Sequence, residues 1–347
     1  MRILVTGHRG YIGTILTPML VSAGHHVVGL DSDLYQRCTF SDRIPNIESI
    51  NKDLRDIDTG DVDGFDAIIH LAALSNDPLG DLNPNLTYEI NYIASVKLAK
   101  LAKKANVPRF LFSSSCSTYG AAGDGMLNED AEFNPVTPYG NSKVLVEKEV
   151  SKLADENFSP TFLRNTTAYG VSPRMRFDIV LNNLVAWAYS TGSILIKSDG
   201  TPWRPLIHIE DISRGFLSVL NASRDVIHNQ AFNVGLNEEN YQIRDLAEIV
   251  RETVPGCKIE YAKDAGPDKR SYRVDFSKIF RTLPDFKPQW NVKKGVRELY
   301  EAYKSTMIKV EDFEGPRYKR IDHIKQLLSD GHLDINLRWV KAKINDE

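Results

Sequence analysis

Near its start the chain reads, after one short apolar run, Thr6-Gly7-His8-Arg9-Gly10-Tyr11-Ile12-Gly13. Glycine allows a sharp strand–helix turn and lets the backbone approach a ligand without a Cβ atom in the way. The helix that follows offers free N–H groups, which suit the pyrophosphate of a dinucleotide. A tight turn without a ligand is the alternative, so the surrounding sequence has to decide. If a dinucleotide binds, its contacts are Gly7, Arg9, Gly10, Tyr11, Ile12 and Gly13.

The position of Asp31 favours a dinucleotide. This acid ends a second apolar run, Val27-Val28-Gly29-Leu30, near the spacing of the residue that binds the adenosine ribose. A carboxylate there accepts both ribose hydroxyls and repels a 2′-phosphate, so the sequence predicts NAD rather than NADP. The alternative is that Asp31 is a solvated loop acid.

Short β-branched runs alternate with helical patterns through the first half of the chain. The predicted strands are Ile3–Thr6, His26–Leu30, Ala67–Leu71, Arg109–Ser113 and Ser159–Arg164, and the predicted helices between them are Tyr11–Ala23, Leu86–Ala105 and Ser142–Asn157. Strands separated by helices indicate parallel βαβ units. The predicted fold is therefore α/β, a Rossmann-type doubly wound parallel sheet.

The second half of the chain predicts a smaller α/β lobe over the carboxyl edge of that sheet. Its predicted elements are helices Phe177–Ser190, Asp211–Asn221 and Ile243–Thr253 and strands Ser193–Lys197, Gln230–Val234 and Lys258–Ala262. We expect a dinucleotide-binding domain over residues 1–170 and a substrate lobe over residues 171–303, partly interleaved with it. Residues 304–347 form a charged extension that either wraps the surface or is partly mobile.

Composition excludes several classes of protein. The 347 residues carry a formal net charge of -3, so there is no global basic field for nucleic acid. The three cysteines lack metal-ligand spacing and a disulfide framework, which predicts no metal site and a reducing cytoplasm. Neither a secretory signal nor a run of eighteen apolar residues is found in the sequence, so we expect no membrane contact.

Further motifs follow in order along the chain. They are Asp53-Leu54, His70-Leu71-Ala72-Ala73, Asn91, Phe112-Ser113-Ser114-Ser115 and Tyr139-Gly140-Asn141-Ser142-Lys143. Together with the glycine spacing, they resemble the extended short-chain dehydrogenase/reductases that epimerise, dehydrate or reduce nucleotide sugars, over Met1 to about Tyr303. The resemblance implies cofactor contacts at Asp53, Leu54, Leu71, Ala72, Ala73, Asn91, Ser113, Tyr139 and Lys143.

The last motif and Ser115 predict hydride chemistry at a carbinol carbon. Tyr139 and Lys143 are four residues apart and so lie on one face of a helix. A lysine ammonium and the positive nicotinamide both favour the tyrosine phenolate, which can take a proton from a sugar hydroxyl. Ser115 hydrogen-bonds the same oxygen. An isolated Tyr–Lys pair more often lies on a surface, but the dinucleotide context favours the catalytic role.

The two residues after Ser115 bear on the reaction. In the 4,6-dehydratases that the chain resembles, these positions carry Asp and Glu, whereas here they are Cys116 and Ser117. In the 3,5-epimerases that the chain resembles, a cysteine base aligns with Ser117 and not with Cys116. Cys116 is therefore more readily a small buried side chain. Its proximity to the site keeps a catalytic role open. We expect an NAD-dependent epimerase acting at C4 through a 4-keto intermediate. The alternatives are a dehydratase, a 4-keto reductase, a non-catalytic NAD sensor and an oxidoreductase on a non-nucleotide substrate.

The resemblance also implies a substrate side. Asn183 and Arg204 match residues that meet the diphosphate of a nucleotide sugar, and the arginine fork suits phosphate oxygens. Other expected substrate contacts are Ser75, Ser115, Cys116, Ser117, Tyr139, Thr167, Arg176, Asp268 and Arg270. Arg174 or Arg176 either binds an anionic group on the substrate or is merely exposed. In the proteins that the chain resembles, the helices corresponding to Leu86–Ala105 and Ser142–Asn157 form a dimer bundle, so the resemblance implies a homodimer.

Overall fold

The computed structural model describes residues 1–41, 44–75, 83–120, 125–266 and 271–340. Its strands, in chain order, are β1 Arg2–Thr6, β2 His26–Asp31, β3 Glu48–Asn51, β4 Ala67–His70, β5 Arg109–Ser115, β6 Met126–Leu127, β7 Ser159–Asn165, β8 Thr167–Tyr169, β9 Ser193–Ser198, β10 Trp203–His208, β11 Gln230–Val234, β12 Asn240–Gln242, β13 Lys258–Gly266 and β14 Arg273–Val274. Its α-helices are Gly13–Ser22, Pro84–Tyr88, Ala94–Lys104, Pro138–Ser151, Val180–Thr191, Ile209–Asn221, Arg224–Ile227, Ile243–Thr253, Ser277–Thr282, Val292–Thr306, Val310–Phe313 and Arg320–Ser329.

Among the described residues, six strands of the first half of the chain and β11 of the second half form a seven-stranded sheet, in the order β3-β2-β1-β4-β5-β7-β11. Every pairing within it is parallel. The chain runs outward from β1 through β2 and β3, then returns to β4 on the other side of β1. This reversal opens a crevice at the carboxyl ends of β1 and β4, where doubly wound sheets bind ligands. The predicted Rossmann-type fold is confirmed.

The sheet is covered on both faces. Ile3, Val5 and Ile69 belong to one buried apolar cluster, whereas Leu4 and Ile68 belong to another. Neighbours along a strand point to opposite faces, so each strand needs apolar side chains on both sides and reads as one apolar run. This explains why the five predicted strands end within two residues of the observed ones.

One predicted helix was misplaced. The expected helix Ser142–Asn157 begins at Pro138 and ends at Ser151. Thr137 starts it, because its hydroxyl accepts a hydrogen bond from the Gly140 N–H at 3.1 Å and Pro138 suits the first helical position. Tyr139 therefore lies in the first turn rather than ahead of the helix.

The later part of the chain builds a second core. Helices Val180–Thr191, Ile243–Thr253 and Val292–Thr306 share one buried apolar cluster. Tyr11, from the glycine-rich turn, and Cys38 belong to the same cluster. The first and second parts of the chain therefore pack as neighbours, and the boundaries at residues 170 and 303 stay a prediction.

The C-terminal extension packs against the rest of the chain as far as residue 340. Ile324, Leu327 and Leu337 are buried together with Leu74 and Leu86 of the first half. Of the two expectations for the extension, the described residues follow the wrapping one. Across the described ranges, no helix is both long enough and apolar enough to span a membrane.

Candidate active site

A cavity of about 1140 Å³ lies at the carboxyl edge of the central sheet. It exceeds the roughly 300–1,000 Å³ typical of a pocket for one drug-sized ligand, so a dinucleotide and a second ligand can share it. The predicted residues that line it are Gly7, Arg9, Gly10, Tyr11, Ile12, Gly13, Asp31, Asp53, Leu54, Leu71, Ala72, Ala73, Ser75, Ser113, Ser115, Ser117, Tyr139, Lys143, Thr167, Arg176, Asn183 and Arg204. Asp268 and Arg270 lie outside the described residues.

The glycine-rich turn has no room for a side chain at Gly7 or Gly13. Gly7 has a φ of +76°, and a Cβ atom there would lie 2.6 Å from the Ala72 nitrogen. A Cβ atom on Gly13 would lie 2.3 Å from the Gly7 oxygen, while one on Gly10 would project into the cavity, with the Gly7 oxygen at 3.1 Å as its one near neighbour. The turn thus brings bare backbone and a helix N-terminus to the cavity, which fits a pyrophosphate.

Asp31 ends β2 and lines the cavity. Its carboxylate accepts the N–H groups of Arg9 at 3.0 Å and Asp33 at 2.8 Å, and burial raises the pKa of Asp31. The neighbouring Asp33 pairs with Arg9 at 3.2 Å and with Arg174 at 3.0 Å. Because the two arginines are held by Asp33, the Asp31 carboxylate keeps capacity to accept ligand hydroxyls.

Asn91 supports the cavity wall from behind. Its amide donates to the Leu74 carbonyl at 2.9 Å and accepts from the Leu74 N–H at 2.7 Å. His70 is likewise buried, between the hydroxyls of Thr6 at 2.6 Å and Ser95 at 2.7 Å. Burial lowers the pKa of His70 to about 3, so its ring is neutral. Asn91 holds the segment after β4 in place and does not line the cavity itself.

Three further side chains meet in the cavity beside the end of β5. Lys143 donates to the Ser113 carbonyl at 2.7 Å, and its ammonium lies 5.5 Å from the centre of the Tyr139 ring. The Ser115 hydroxyl accepts from the Ser117 N–H at 3.1 Å and from the Ser117 hydroxyl at 2.9 Å. A hydroxyl-bearing strand end, a tyrosine and a lysine therefore share one wall, as hydride chemistry at an alcohol requires.

The structure corrects the prediction that Cys116 contacts substrate. Its Sγ points away from the cavity and lies 3.1 Å from the Arg164 carbonyl, and the residue is fully buried. Burial raises the pKa of the Cys116 thiol well above its usual range. The chain turns into a short helix after Ser115, which directs Cys116 inward and leaves Ser117 at the cavity. Cys116 is thus the small buried side chain of the alternative interpretation.

The two arginines Arg174 and Arg176 have different environments. Arg174 is buried, donates to the Tyr35 carbonyl and pairs with Asp33, so it is not available to a substrate in the cavity. Arg176 lines the cavity, donates to the Ser75 hydroxyl at 3.1 Å and pairs with Asp178 at 2.7 Å. Although burial opposes ionisation, Arg176 lowers the pKa of Asp178 to about 2. The hypothesis of an anion-binding arginine therefore fails for Arg174 and stays a proposal for Arg176.

The comparison with known families identifies the family of the chain. The chain matches the NAD dependent epimerase/dehydratase family over residues 3–235. It belongs to this family. The chain is accordingly an enzyme whose cofactor is NAD, and the glycine turn with Asp31 is the part of the cavity that fits that cofactor. Within the described part of the chain, no group of three or more His, Cys, Asp or Glu side chains is placed to hold a metal ion.

Relatives of this NAD-dependent enzyme include named epimerases. The UDP-glucose 4-epimerase of Bacillus subtilis is 26% identical, over 86% of this chain and 94% of the relative. That of Lactobacillus helveticus is 28% identical, over 88% and 98%. Among solved structures, MoeE5 with UDP-glucuronic acid and NAD is 25% identical at a TM-score of 0.77, over 88% of this chain and 100% of that chain. The NDP-hexosamine 5,6-dehydratase TunA, at 22% identity and a TM-score of 0.78 over 88% and 98%, shares the fold.

The sequence motifs did not predict the residues on one side of the cavity. Phe313, Glu314, Lys319, Arg320 and Leu337 line it, and all five come from the C-terminal extension. No motif marks them. The available signal is the apolar spacing of the helix Arg320–Ser329, which predicts an amphipathic element that packs on something.

Cofactor choice provides a first prediction for this NAD-dependent enzyme. Changing Asp31 to serine removes the carboxylate that repels a 2′-phosphate, while Arg9 stays beside the site. We expect the ratio of NADP to NAD dissociation constants to fall by about tenfold or more, because one charge contact at a partly buried site contributes on the order of 1.4 kcal/mol. Fluorescence titration with both dinucleotides measures the ratio. An unchanged ratio would show that Asp31 does not face the ribose.

The second prediction concerns Lys143 and the pH dependence of the free energy of unfolding. Burial lowers the pKa of Lys143 to about 7, against the attraction of Glu147. Between pH 7 and the ordinary lysine pKa, the unfolded chain binds a proton that the folded chain lacks. Burial of Lys143 therefore destabilises the folded chain fully below pH 7, and this loss of stability becomes smaller as the pH rises above 7. Without dinucleotide, the stability advantage of Lys143→Met over the wild type should shrink by about 1.4 kcal/mol per pH unit above 7.

Urea unfolding at pH 7, 8 and 9 measures this change. Lys148→Met, on the exposed side of the same helix, is the matched control. A constant difference between Lys143→Met and the wild type over this range would contradict a pKa of about 7 for Lys143 in the folded chain without dinucleotide.

Proposed function

We propose that the chain is an NAD-dependent nucleotide-sugar epimerase acting at C4 through a transient 4-keto intermediate. One observation carries the proposal: Ser115, Tyr139 and Lys143 line the same cavity as the glycine turn and Asp31. The curated relatives named UDP-glucose 4-epimerase support it. Dehydration is less well supported, because Ser117 stands at the cavity beside Ser115 and Cys116 faces away.

The residues divide the chemistry among them. Tyr139 takes the proton of the C4 hydroxyl, and Ser115 donates to the same oxygen and keeps it in line. In its protonated form, Lys143 is held by the Ser113 carbonyl and stabilises the Tyr139 phenolate by its charge. NAD held at the glycine turn and Asp31 would supply the acceptor, and then the donor, of the C4 hydride. After the 4-keto sugar rotates, Tyr139 gives the proton back to the oxygen, which yields the C4 epimer.

The substrate side is proposed to hold a nucleotide diphosphate sugar. Asn183 lies at the start of the helix Val180–Thr191, where free N–H groups suit a diphosphate, and Arg204 lies on β10 in the same cavity. Ser75, Ser117 and Thr167 are the proposed polar contacts of the sugar. Asp268 and Arg270 remain proposed contacts of the nucleotide.

A nucleotide sugar with a negatively charged sugar is one of two candidate substrates. Arg176 lines the cavity beside Ser75, and MoeE5, which is 25% identical, was solved with UDP-glucuronic acid. Arg176 is already paired with Asp178, so a carboxylate must share the guanidinium with that acid. A neutral hexose, with Arg176 acting only on Ser75 and Asp178, is the alternative.

One experiment tests the proposed reaction. The purified enzyme is incubated with UDP-, dTDP-, GDP- and CDP-sugars, including UDP-glucuronic acid, and products are followed by NMR. We expect conversion of one pair of C4 epimers in both directions without net reduction of NAD. Accumulation of a dehydrated, reduced or 4-keto sugar would overturn the assignment. Preference for the uronate over the matched hexose would support an anionic partner for Arg176.

A homodimer in the cytoplasm completes the proposal. Ile93 is 57% exposed where the helical segment Pro84–Lys104 carries a π-helical turn, on one of the two helices expected to pair. Cys38, Cys116 and Cys257 are free thiols, in keeping with a reducing compartment. Light scattering of the purified enzyme tests the dimer.

A further inference from the structure

The C-terminal extension holds the loop that follows Asp31. The Trp339 indole donates to the Ser32 carbonyl at 2.6 Å, and the His323 ring meets the Leu34 carbonyl at 3.1 Å. Further along, the Tyr318 hydroxyl donates to the Thr39 carbonyl at 3.3 Å. Three separate points of the extension therefore fix the backbone next to the ribose-binding acid.

The same extension also packs against the segment after β4, on the other side of the crevice. Its Ile324, Leu327 and Leu337 bury Leu74, which follows the Ala72-Ala73 wall after β4. The crevice for a dinucleotide opens between the ends of β1 and β4. The segment after β4 forms one side of it, and the loop after β2 forms the other side. A segment that is attached to both sides crosses the crevice, and we call residues 309–340 the strap.

Arg320 is the charge that the strap brings to the cavity. It is 5% exposed, lines the cavity, and its guanidinium stacks 4.2 Å above the Tyr35 ring. Among the residues that the structure describes, none forms a hydrogen bond or ion pair with Arg320, and its Nε is buried without a partner. Burial and, after it, repulsion by Arg176 lower the pKa of Arg320, whereas Asp178 attracts Arg320 without forming an ion pair with it, because Asp178 is paired with Arg176.

One carboxylate, Asp178, serves two buried guanidinium groups, so one positive charge is uncompensated and a further anion is favoured here. The cavity is built for diphosphates, and two could supply this anion: that of the dinucleotide and that of the nucleotide sugar. The contacts favour the dinucleotide, because Tyr35 lies four residues beyond Asp31 in the ribose-binding loop. Arg204 and Asn183, the proposed partners of the sugar diphosphate, come from other elements.

We propose that residues 309–340 form a strap that retains the dinucleotide, with Arg320 as a further binding residue for its diphosphate. The glycine turn donates N–H groups to the diphosphate, and Arg320 neutralises part of its negative charge. The anchors at Trp339 and Leu74 must part before the cofactor leaves. This inference rests on NAD as the cofactor and not on which carbon of the sugar reacts.

Dinucleotide release tests the proposal without any measurement of activity. Arg320→Met keeps the aliphatic stack on Tyr35 and removes the charge, Arg320→Lys restores a charge, and Lys325→Met is the control on the exposed face of the same helix. NAD retained after gel filtration, its dissociation rate and its dissociation constant are measured, together with UDP affinity by calorimetry. Trp339→Phe, which loses the hydrogen bond to Ser32, tests the anchor separately.

We expect Arg320→Met to release NAD about ten- to a hundredfold faster, as a lost charged hydrogen bond implies. Arg320→Lys should recover part of the retention, Lys325→Met should match the wild type, and Trp339→Phe should also release NAD faster. UDP affinity should stay unchanged in all four. Weakened UDP binding with unchanged NAD release would assign Arg320 to the sugar nucleotide and overturn the proposal. Unchanged NAD release in both Arg320→Met and Trp339→Phe would overturn the strap.

Discussion

Replacing Tyr139 by phenylalanine is expected to lower kcat for epimerisation by about 10²–10⁴-fold, the usual contribution of a positioned acid–base group. The ring stays in place against the Lys143 ammonium, 5.5 Å away, so the change removes only the hydroxyl. Without it, no group at the sugar oxygen takes the proton as the hydride leaves. Because the phenylalanine ring still fills the wall beside Lys143, NAD binding should be essentially unchanged.

Initial rates with the substrate found by NMR, and NAD titration of the same protein, measure both effects. Tyr189→Phe is the control, because that tyrosine packs against Tyr300 and does not line the cavity. A loss confined to KM would assign Tyr139 to substrate binding. A kcat within a few-fold of the wild type would remove it from the chemistry altogether.

The sequence was sufficient for those parts of the site that depend on local backbone. The glycine turn, Asp31 and the end of β5 each follow a strand of continuous apolar residues, and parallel strands bring their carboxyl ends to one edge. The spacing of Tyr139 and Lys143 fixes a common helix face by itself, even though the helix was expected four residues too late. These residues could therefore be placed in one cavity before the fold was known.

Other parts depend on contacts that no local pattern encodes. The strand Glu48–Asn51 has polar and apolar side chains at the sheet edge and, among the described strands, pairs with β2 alone, so it lacks the apolar run of its neighbours. Arg320 reaches the cavity from a helix nearly three hundred residues after Asp31 in the sequence. Arg174 looked equivalent to Arg176, and only packing shows that it is held by Asp33.

Replacing Arg164 by methionine is expected to lower the free energy of unfolding by about 3–5 kcal/mol, the usual cost of removing one partner of a buried ion pair. The side chains of Arg164 and Glu147 are each 6% exposed and meet at 2.8 Å. Arg164 also donates to the Tyr119 hydroxyl at 2.9 Å, and Glu147 accepts from Ser114. Methionine leaves the Glu147 carboxylate buried with little compensation.

Urea unfolding of the variant measures this loss, and a second variant separates charge from packing. Glu147→Leu combined with Arg164→Met removes both charges, so it should recover a large part of the stability. Lys152→Met, which breaks the exposed pair with Glu149, should change little. A double variant as unstable as Arg164→Met alone would show that the hydrogen bonds to Tyr119 and Ser114, rather than the unpaired charge, stabilise the carboxyl end of β5.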